Sequence, residues 1–445
     1  MRHRTEIAGT STDQLMNKGD HGSVNTNKLA TSMQEEFNKL RPFSDKCSIY
    51  RVPKRLLKLN RRAYTPQVVS IGPLHHGKKE LQEMEEHKKM YLQDFLKFSE
   101  VNLEDFIAFI AEKETRLRNC YAATFEKLSS EIFVKMILLD CSFVIMVLLR
   151  ICFENIGFGN IGCRNDRIFG KPWMISDVSR DMCLLENQLP FFILEDLIKL
   201  SKIWCPLSLK ELTFVFLTQR WPSWVPHDNL EEIKFCEAEH FVAFLRICQQ
   251  PTEHKQIKEK EIDTLSTPSA MDLHQAGVRF KLGSSKKLLD IKFDADKGTL
   301  EIPCLKIVDS TETLFRNVQA FEQCHFGSGF IGNYITMINL VVHASKDLEI
   351  LARKGIIENW LRDNDALLRL LHNLSNENLV DMHDFYFSDV VEHLNTYYKR
   401  RRHKWKAALK HKYFDNPWTI ISVIAAGILL LLTVIQAVCS IIQVV

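Results

Sequence analysis

The sequence predicts a mainly α-helical fold with a small antiparallel β-meander (α+β), ending in a single C-terminal transmembrane helix. Three observations predict it. Apolar residues recur at helical spacing through most of the chain. Period-two alternation is confined to residues 278–308. From Thr419 to Val438 there is no charged residue. At 445 residues, 46% hydrophobic and 25% charged, the chain has the make-up of one large or two ordinary globular domains.

Residues 1–46 are polar, rich in Gly, Ser, Thr and Asn, and are expected to be a disordered tail with a helical turn or two at Met33–Leu40. A globular body is expected over 47–398. Its first stretch is cut into short extended pieces by Pro53, Pro66 and Pro73. After Gly77 a helix follows, with Leu81, Met84, Tyr91, Leu92, Phe95 and Leu96 on its apolar face. Glu85 and Lys89, four apart, are placed for a surface ion pair. Residues 101–153 read as helix. In Phe133–Phe153 the charges Lys135, Asp140 and Arg150 leave no charge-free piece long enough to span a bilayer, so a buried core helix is expected. Residues 154–180 read as a glycine-rich loop, and Pro190 ends one segment and opens the helix FFILEDLIKL. Turns are expected near Trp221 and Trp224, a helix over 229–248, and an internal linker over 249–268. VRFKL, LLDIKFD and TLEIPCLKIV with the Asp296–Gly298 turn predict the meander, and 309–395 returns to helix.

The tail explains itself by length. About 20 apolar residues cross a ~30 Å hydrocarbon core, and in lipid such a run must be helical. The expected transmembrane helix covers 417–439, with Trp418, Thr419, Gly427, Leu431 and Val438 along it and an apolar extension to 445. Asn416 is suited to the N-cap and Pro417 to the first helical position. The preceding segment, 399–412, holds Lys399, Arg400, Arg401, Arg402, Lys404, Lys406, Lys410 and Lys412 and no acid. Beside a span, these cations fit the positive-inside rule and attraction to anionic lipid headgroups better than a nuclear signal. The chain's net charge is +3, so setting those eight aside leaves −5, which argues against nucleic acid as a partner. The first residues have no apolar core, so no signal peptide is expected and the body is expected in the cytosol, at the plasma membrane or an endomembrane. The twelve cysteines form no CxxC pair and read as buried free thiols.

Several long motifs, in order, carry a family resemblance. They are YRVPKRL, AYTPQVVSIGPLHHG, MEEHKKMYLQDFL, LLENQLPFFILEDL, PSAMDLHQAGVRFK and LEIPCLKIVDSTETLFRNVQAFEQ, followed by the apolar tail. Together they resemble the plant family catalogued as domain of unknown function 247, also called uncharacterised protein family 0481. The resemblance runs from about Cys47 to the C-terminus. It implies a terminal membrane helix, no assigned catalytic residues and no cofactor. The link of some members with pollen self-recognition and stress responses implies recognition or signalling.

Four groups are candidates for chemistry. Gly157–Gly162 matches GxGxxG, but its continuation, with Gly170 and Pro172, lacks a helical stripe, so it reads as a loop. His75, His76, Glu83 and His87 lack the spacing of a metal site and read as a hydrogen-bonded turn. Glu186–Asn187–Gln188 is a polar knot among leucines, where Glu186 is either an enzyme acid or a structural cap or buried ion-pair partner. Asp140, inside its apolar helix, poses the same choice. The expected function is a membrane-tethered recognition, signalling or protein-interaction module without catalytic, metal or cofactor residues. An anchored enzyme using Glu186, Asp140 and His76, and a structural or lipid-contacting scaffold, are the alternatives.

Overall fold

The computed structural model describes residues 24–39, 44–153, 166–225, 236–251, 265–326, 329–400 and 417–444. The GxGxxG stretch, the centre of the expected linker and most of the basic run lie outside these residues. The chain forms two units, Met1–Asp45 and Lys46–Val445. The first contains helix α1 (Thr26–Lys39), longer than the turn or two expected there. The Asn25 side chain caps it by accepting from the Lys28 N–H at 3.1 Å.

The second unit opens with a largely irregular segment, 46–78, holding only the short helix α2 (Lys54–Leu59) and one 3-10 turn. In α3 (Gln82–Phe98), Met84, Lys88, Tyr91 and Phe95 are buried at the spacing of one helical face. The ion pairs on α3 run Glu85–Lys88 and Glu86–Lys89, both 2.6 Å, rather than Glu85–Lys89. Then come α4 (Leu103–Glu112), α5 (Glu114–Asn119) and α6 (Ser130–Phe153). Every residue of α6 from Met136 to Ile151 is buried. A helix that is apolar all round needs neighbours on every side. These are α3, α4, α5, and the later α8 (Phe191–Ser201) and α9 (Leu209–Arg220). Of the charges that interrupt α6, Lys135 faces outward and the two buried ones are matched within the protein: Asp140 lies 2.6 Å from Lys88, and Arg150 lies 2.7 Å from Asp94, bonds Asp166 and stacks on Tyr91 at 4.2 Å. The core-helix reading of Phe133–Phe153 holds.

Before α8 stands α7 (Pro172–Asp181), where a loop was expected; Pro172 occupies its first turn, the one place a helix accepts proline freely. Next are α10 (Phe241–Cys248) and α11 (Ala270–Gln275), the latter opened by a Ser269–Asp272 capping box.

The expected antiparallel meander is not what forms. β1 (Arg279–Leu282), β2 (Lys292–Asp294) and β3 (Thr299–Ile302) make a mixed sheet in the order β1-β3-β2. Only β2–β3 is an antiparallel hairpin; β1 runs parallel to β3, with Phe280 opposite Leu300. The cause lies between β1 and β2, where Leu288, Leu289 and Ile291 are drawn into the core. That detour delivers β2 to the far side of β3. Pro303 then ends β3, and β4 (Leu305–Ile307) pairs parallel with the distant β5 (Ile357–Asn359). After them come α12 (Thr311–His325), α13 (Phe330–Val341), α14 (Ser345–Arg353), α15 (Asn364–Ser375) and α16 (Ser388–Lys399); α14 packs on β5 and α16 on β2, while α12, α13 and α15 pack against one another.

The expected fold class is corrected at the C-terminus too. Among the described residues, the helix long and apolar enough to cross a membrane is the internal Ser130–Cys152, and 89% of its most apolar window is buried inside the protein. The C-terminal helix, α17 (Pro417–Val444), has its described apolar stretch at Ile424–Gln436, shorter than a span requires.

Candidate functional site

The 46–78 segment sets a problem: outside α2, the 3-10 turn and a bridge between Ile49 and Tyr121, its backbone groups have no helix or ladder to pair with, and much of it is buried. Buried polar side chains solve it. At the end of α7, the Asp181 carboxylate accepts from the N–H groups of Gln67, Val68 and Val69 at 2.9, 2.7 and 3.1 Å. Asn187 accepts from the Ile71 N–H at 2.7 Å and donates to the Val69 carbonyl at 3.0 Å. Asp140, reaching from α6, accepts from the Gly72 N–H at 2.8 Å. Glu186 accepts from the Val52 N–H at 2.7 Å. Asn317, on α12, accepts from Leu185 N–H and donates to the Ala63 carbonyl, tying the knot to both sides. Gly72 sits at φ +73°, and a Cβ there would meet the Gln188 carbonyl oxygen at 2.6 Å. The segment is therefore clamped into the body by side chains that take the place of strand neighbours.

The electrostatics follow from this burial. Burial pushes the Asp181 carboxyl up to about 6, against the opposing pull of its backbone bonds and Arg180. Burial also works against Glu186, but the His75 contact and the Val52 N–H outweigh it and hold its carboxyl below the usual range. Lys88 stays above its usual range, because Asp140 and Glu85 outweigh its desolvation. A second buried carboxyl, Glu322, is pushed up to about 7 by burial while Arg246 and the N–H groups of Ile331 and Gly332 oppose this.

Of the three residues offered for catalysis, the structure brings Glu186 and Asp140 to the same clamp but gives each a backbone N–H to hold. His76 is half-buried, with Nδ1 lacking a hydrogen-bond partner. Its neighbour His75 reaches Glu186 instead, with Nε2 at 3.2 Å from Oε2 and Nδ1 at 2.5 Å from Lys78 Nζ. His75 thus lies between Glu186 and Lys78. Among the described residues no group of three His, Cys, Asp or Glu side chains is placed to hold a metal. Sequence reasoning singled out the Glu186–Gln188 knot but missed Asp181, Asn317 and Lys88. For Asp181 and Asn317 the signal was an acid or amide beside an apolar run, in a chain with a proline-broken segment whose amides needed acceptors; for Lys88 it was a cation on the apolar face of α3.

Beside the clamp opens a polar cleft of about 640 Å³, lined among others by Arg62, Gln67, Asp177, Arg180, Arg220 and Glu312. Guanidinium and carboxylate groups both line it, groups able to hydrogen-bond a polar chain of mixed charge.

The family model for DUF247, a plant protein of unknown function, matches residues 49–432. The chain belongs to the plant DUF247 family. Among DUF247 relatives, the UPF0481 protein At3g47200 of Arabidopsis thaliana is 29% identical over 428 residues, covering 90% of this chain and 87% of the relative. A second Arabidopsis thaliana UPF0481 protein, At3g02645, is 24% identical over 486 residues, covering 87% of this chain and 89% of its own length. No solved structure matches the chain. The DUF247 match begins near the start of the clamped segment, so the stretches YRVPKRL and AYTPQVVSIGPLHHG that the knot holds lie within it.

Proposed function

We propose that this DUF247 protein is a protein-interaction module that works at a membrane surface, with its body in the cytosol. One observation carries the membrane contact. The described large apolar side chains of α17, from Ile421 to Ile435, are 53–68% exposed, an apolar surface that the body leaves uncovered. The basic residues before it, of which Lys399 and Arg400 are described and exposed, add attraction to anionic headgroups. The interaction role is favoured by how the buried acids are used. Glu186, Asp140 and Asp181 hold backbone, while the cleft beside them presents mixed polar groups outward. On this reading the partner is another protein, which lays an extended polar segment in the cleft.

Proximity labelling from the body in intact plant cells, combined with protease protection of sealed vesicles, tests the proposal. A cytosolic, reproducible set of labelled proteins that is lost when Arg62 and Arg220 are both replaced by Glu is the expected result. Labelling confined to lumenal or extracellular proteins, or labelling unchanged by the cleft variant, contradicts it.

A further inference from the structure

The turn that closes the clamped segment carries a line of three titratable side chains that the function above does not use. Lys78 N–H donates to the His75 carbonyl at 3.4 Å, and Gly77, third in this turn, sits at φ +80°. The third position of a type II turn requires that left-handed conformation, and glycine supplies it without strain. The turn folds the Lys78 side chain back onto His75, so that Nζ lies 2.5 Å from the ring's Nδ1. The ring's other nitrogen, Nε2, lies 3.2 Å from Glu186 Oε2. Glu186 is itself held, because its Oε1 accepts from the Val52 N–H at 2.7 Å. His75 and Glu186 are buried, whereas Lys78 is half-buried. Nothing lies within 4 Å of the Cβ position at the neighbouring Gly77, so the turn is open on that side. Carboxylate, imidazole and amine thus follow one another from the core toward the surface.

The order of the groups sets where protons go. The Glu186 carboxylate stands off the ideal hydrogen-bond line to Nε2, but it is close enough for its charge to favour the proton there. Nδ1 then carries the lone pair and accepts from Lys78 Nζ. A lysine amine is a nucleophile only once it has given up its ammonium proton, and here a base touches it to receive that proton. The surroundings act in the same direction. Burial holds the Lys78 amine below its usual range; Arg61 and Arg51 add to this, while Glu186 and Glu80 oppose it.

We infer that Lys78 is a nucleophilic lysine that forms a Schiff base with a small aldehyde, with His75 as the base that takes and returns its proton and Glu186 as a positioning residue. The site stands apart from the protein-interaction reading above and needs no membrane. An aldehyde suits it because the carbonyl needs no activation beyond the proton that the pair itself exchanges. The Lys78 ammonium passes one proton to His75 Nδ1, and its nitrogen bonds to the carbonyl carbon as the C=O π pair moves to oxygen. That oxygen takes a second proton from the nitrogen and becomes a hydroxyl. His75 returns its proton to the hydroxyl as the C–O bond breaks and water leaves. The product is a protonated imine that keeps the single positive charge of the lysine.

Reductive alkylation of the full chain tests this. The protein meets limiting acetaldehyde together with cyanoborohydride, which reduces the imine as it forms, and peptide mass spectrometry reads the ethylation rate at each lysine. The exposed Lys79 next door is the internal reference. At about pH 7, Lys78 should react about tenfold faster than Lys79 or more, the gain in free amine expected when its proton is drawn off. Its rate should also level off at a lower pH than that of Lys79. His75→Asn, which removes the base, should bring Lys78 back toward the rate of Lys79. Equal rates in the parent, or a fast Lys78 left unchanged by His75→Asn, overturns the inference. If His75→Asn melts well below the parent, the parent's pH profile decides: a Lys78 rate that climbs in step with that of Lys79 into the alkaline range overturns it as well.

Discussion

Asp181 accepts three consecutive backbone N–H groups from a stretch with no secondary structure of its own. Leaving buried donors unpaired costs about 1–3 kcal/mol each, so Asp181→Ala is expected to lose roughly 3–5 kcal/mol of stability and Asp181→Asn distinctly less. Amide hydrogen exchange locates the effect. In the parent, Val68, Val69, Ile71 and Gly72 should exchange slowly despite lying outside helix and sheet. In the alanine variant, Val68 and Val69 should become fast while Gly72, held by Asp140, stays slow. Fast exchange of Val68 and Val69 in the parent would mean that the clamp is not closed in solution. The pH dependence has a definite sign. Asp181 titrates near 6 when folded, above the ordinary value of about 3.9. Its contribution is therefore fully present below about pH 4 and is lost as pH rises through 6. The residue types of the knot were legible in the sequence as polar letters among leucines. Their partners were not, because each acceptor and its donors lie dozens to more than a hundred positions apart.

At the scale of elements, helix α10 shows how a cap ties distant chain together. His240 Nδ1 accepts from the Ala243 N–H at 3.1 Å, so Nε2 carries the proton and donates to the Ser48 carbonyl at 3.0 Å. This arrangement requires the neutral ring, and burial pushes the His240 imidazole down to about 3. The stability it provides is present above about pH 6.5 and is lost as pH falls toward 3. Melting temperatures of the parent and His240→Asn should therefore converge on acidification below pH 6.5, since asparagine keeps the cap without a titrating group. A constant difference across pH 4–7 would contradict the neutral-ring assignment. Helices such as α3, α6 and α8 were legible because their apolar periodicity is local. The sheet was not. Alternation identifies β1, β2 and β3 as strands, but their order depends on Leu288, Leu289 and Ile291 being drawn into the core, and β4 takes a partner about fifty residues away.

For the whole molecule, two long apolar helices have opposite settings. The internal one, α6, is enclosed by its neighbours and has its buried charges Asp140 and Arg150 paired, so its composition describes a core. In α17 the described side chains are exposed, and an apolar surface of that size in water would be a liability. Composition alone does not separate these cases; burial does. The cleft belongs to the body, and its use at a membrane depends on the uncovered apolar side chains of α17 meeting lipid. Flotation of Gly427→Arg/Leu431→Arg with lipid vesicles tests this most directly. Nothing lies within 4 Å of the Cβ position at Gly427, and Leu431 is 65% exposed, so the body should fold unchanged. Two arginines on an apolar surface in contact with lipid oppose its burial there. The parent should float with the vesicles and the double variant should stay in the soluble fraction. A parent that does not float, or a variant that floats as well as the parent, would contradict membrane contact through α17.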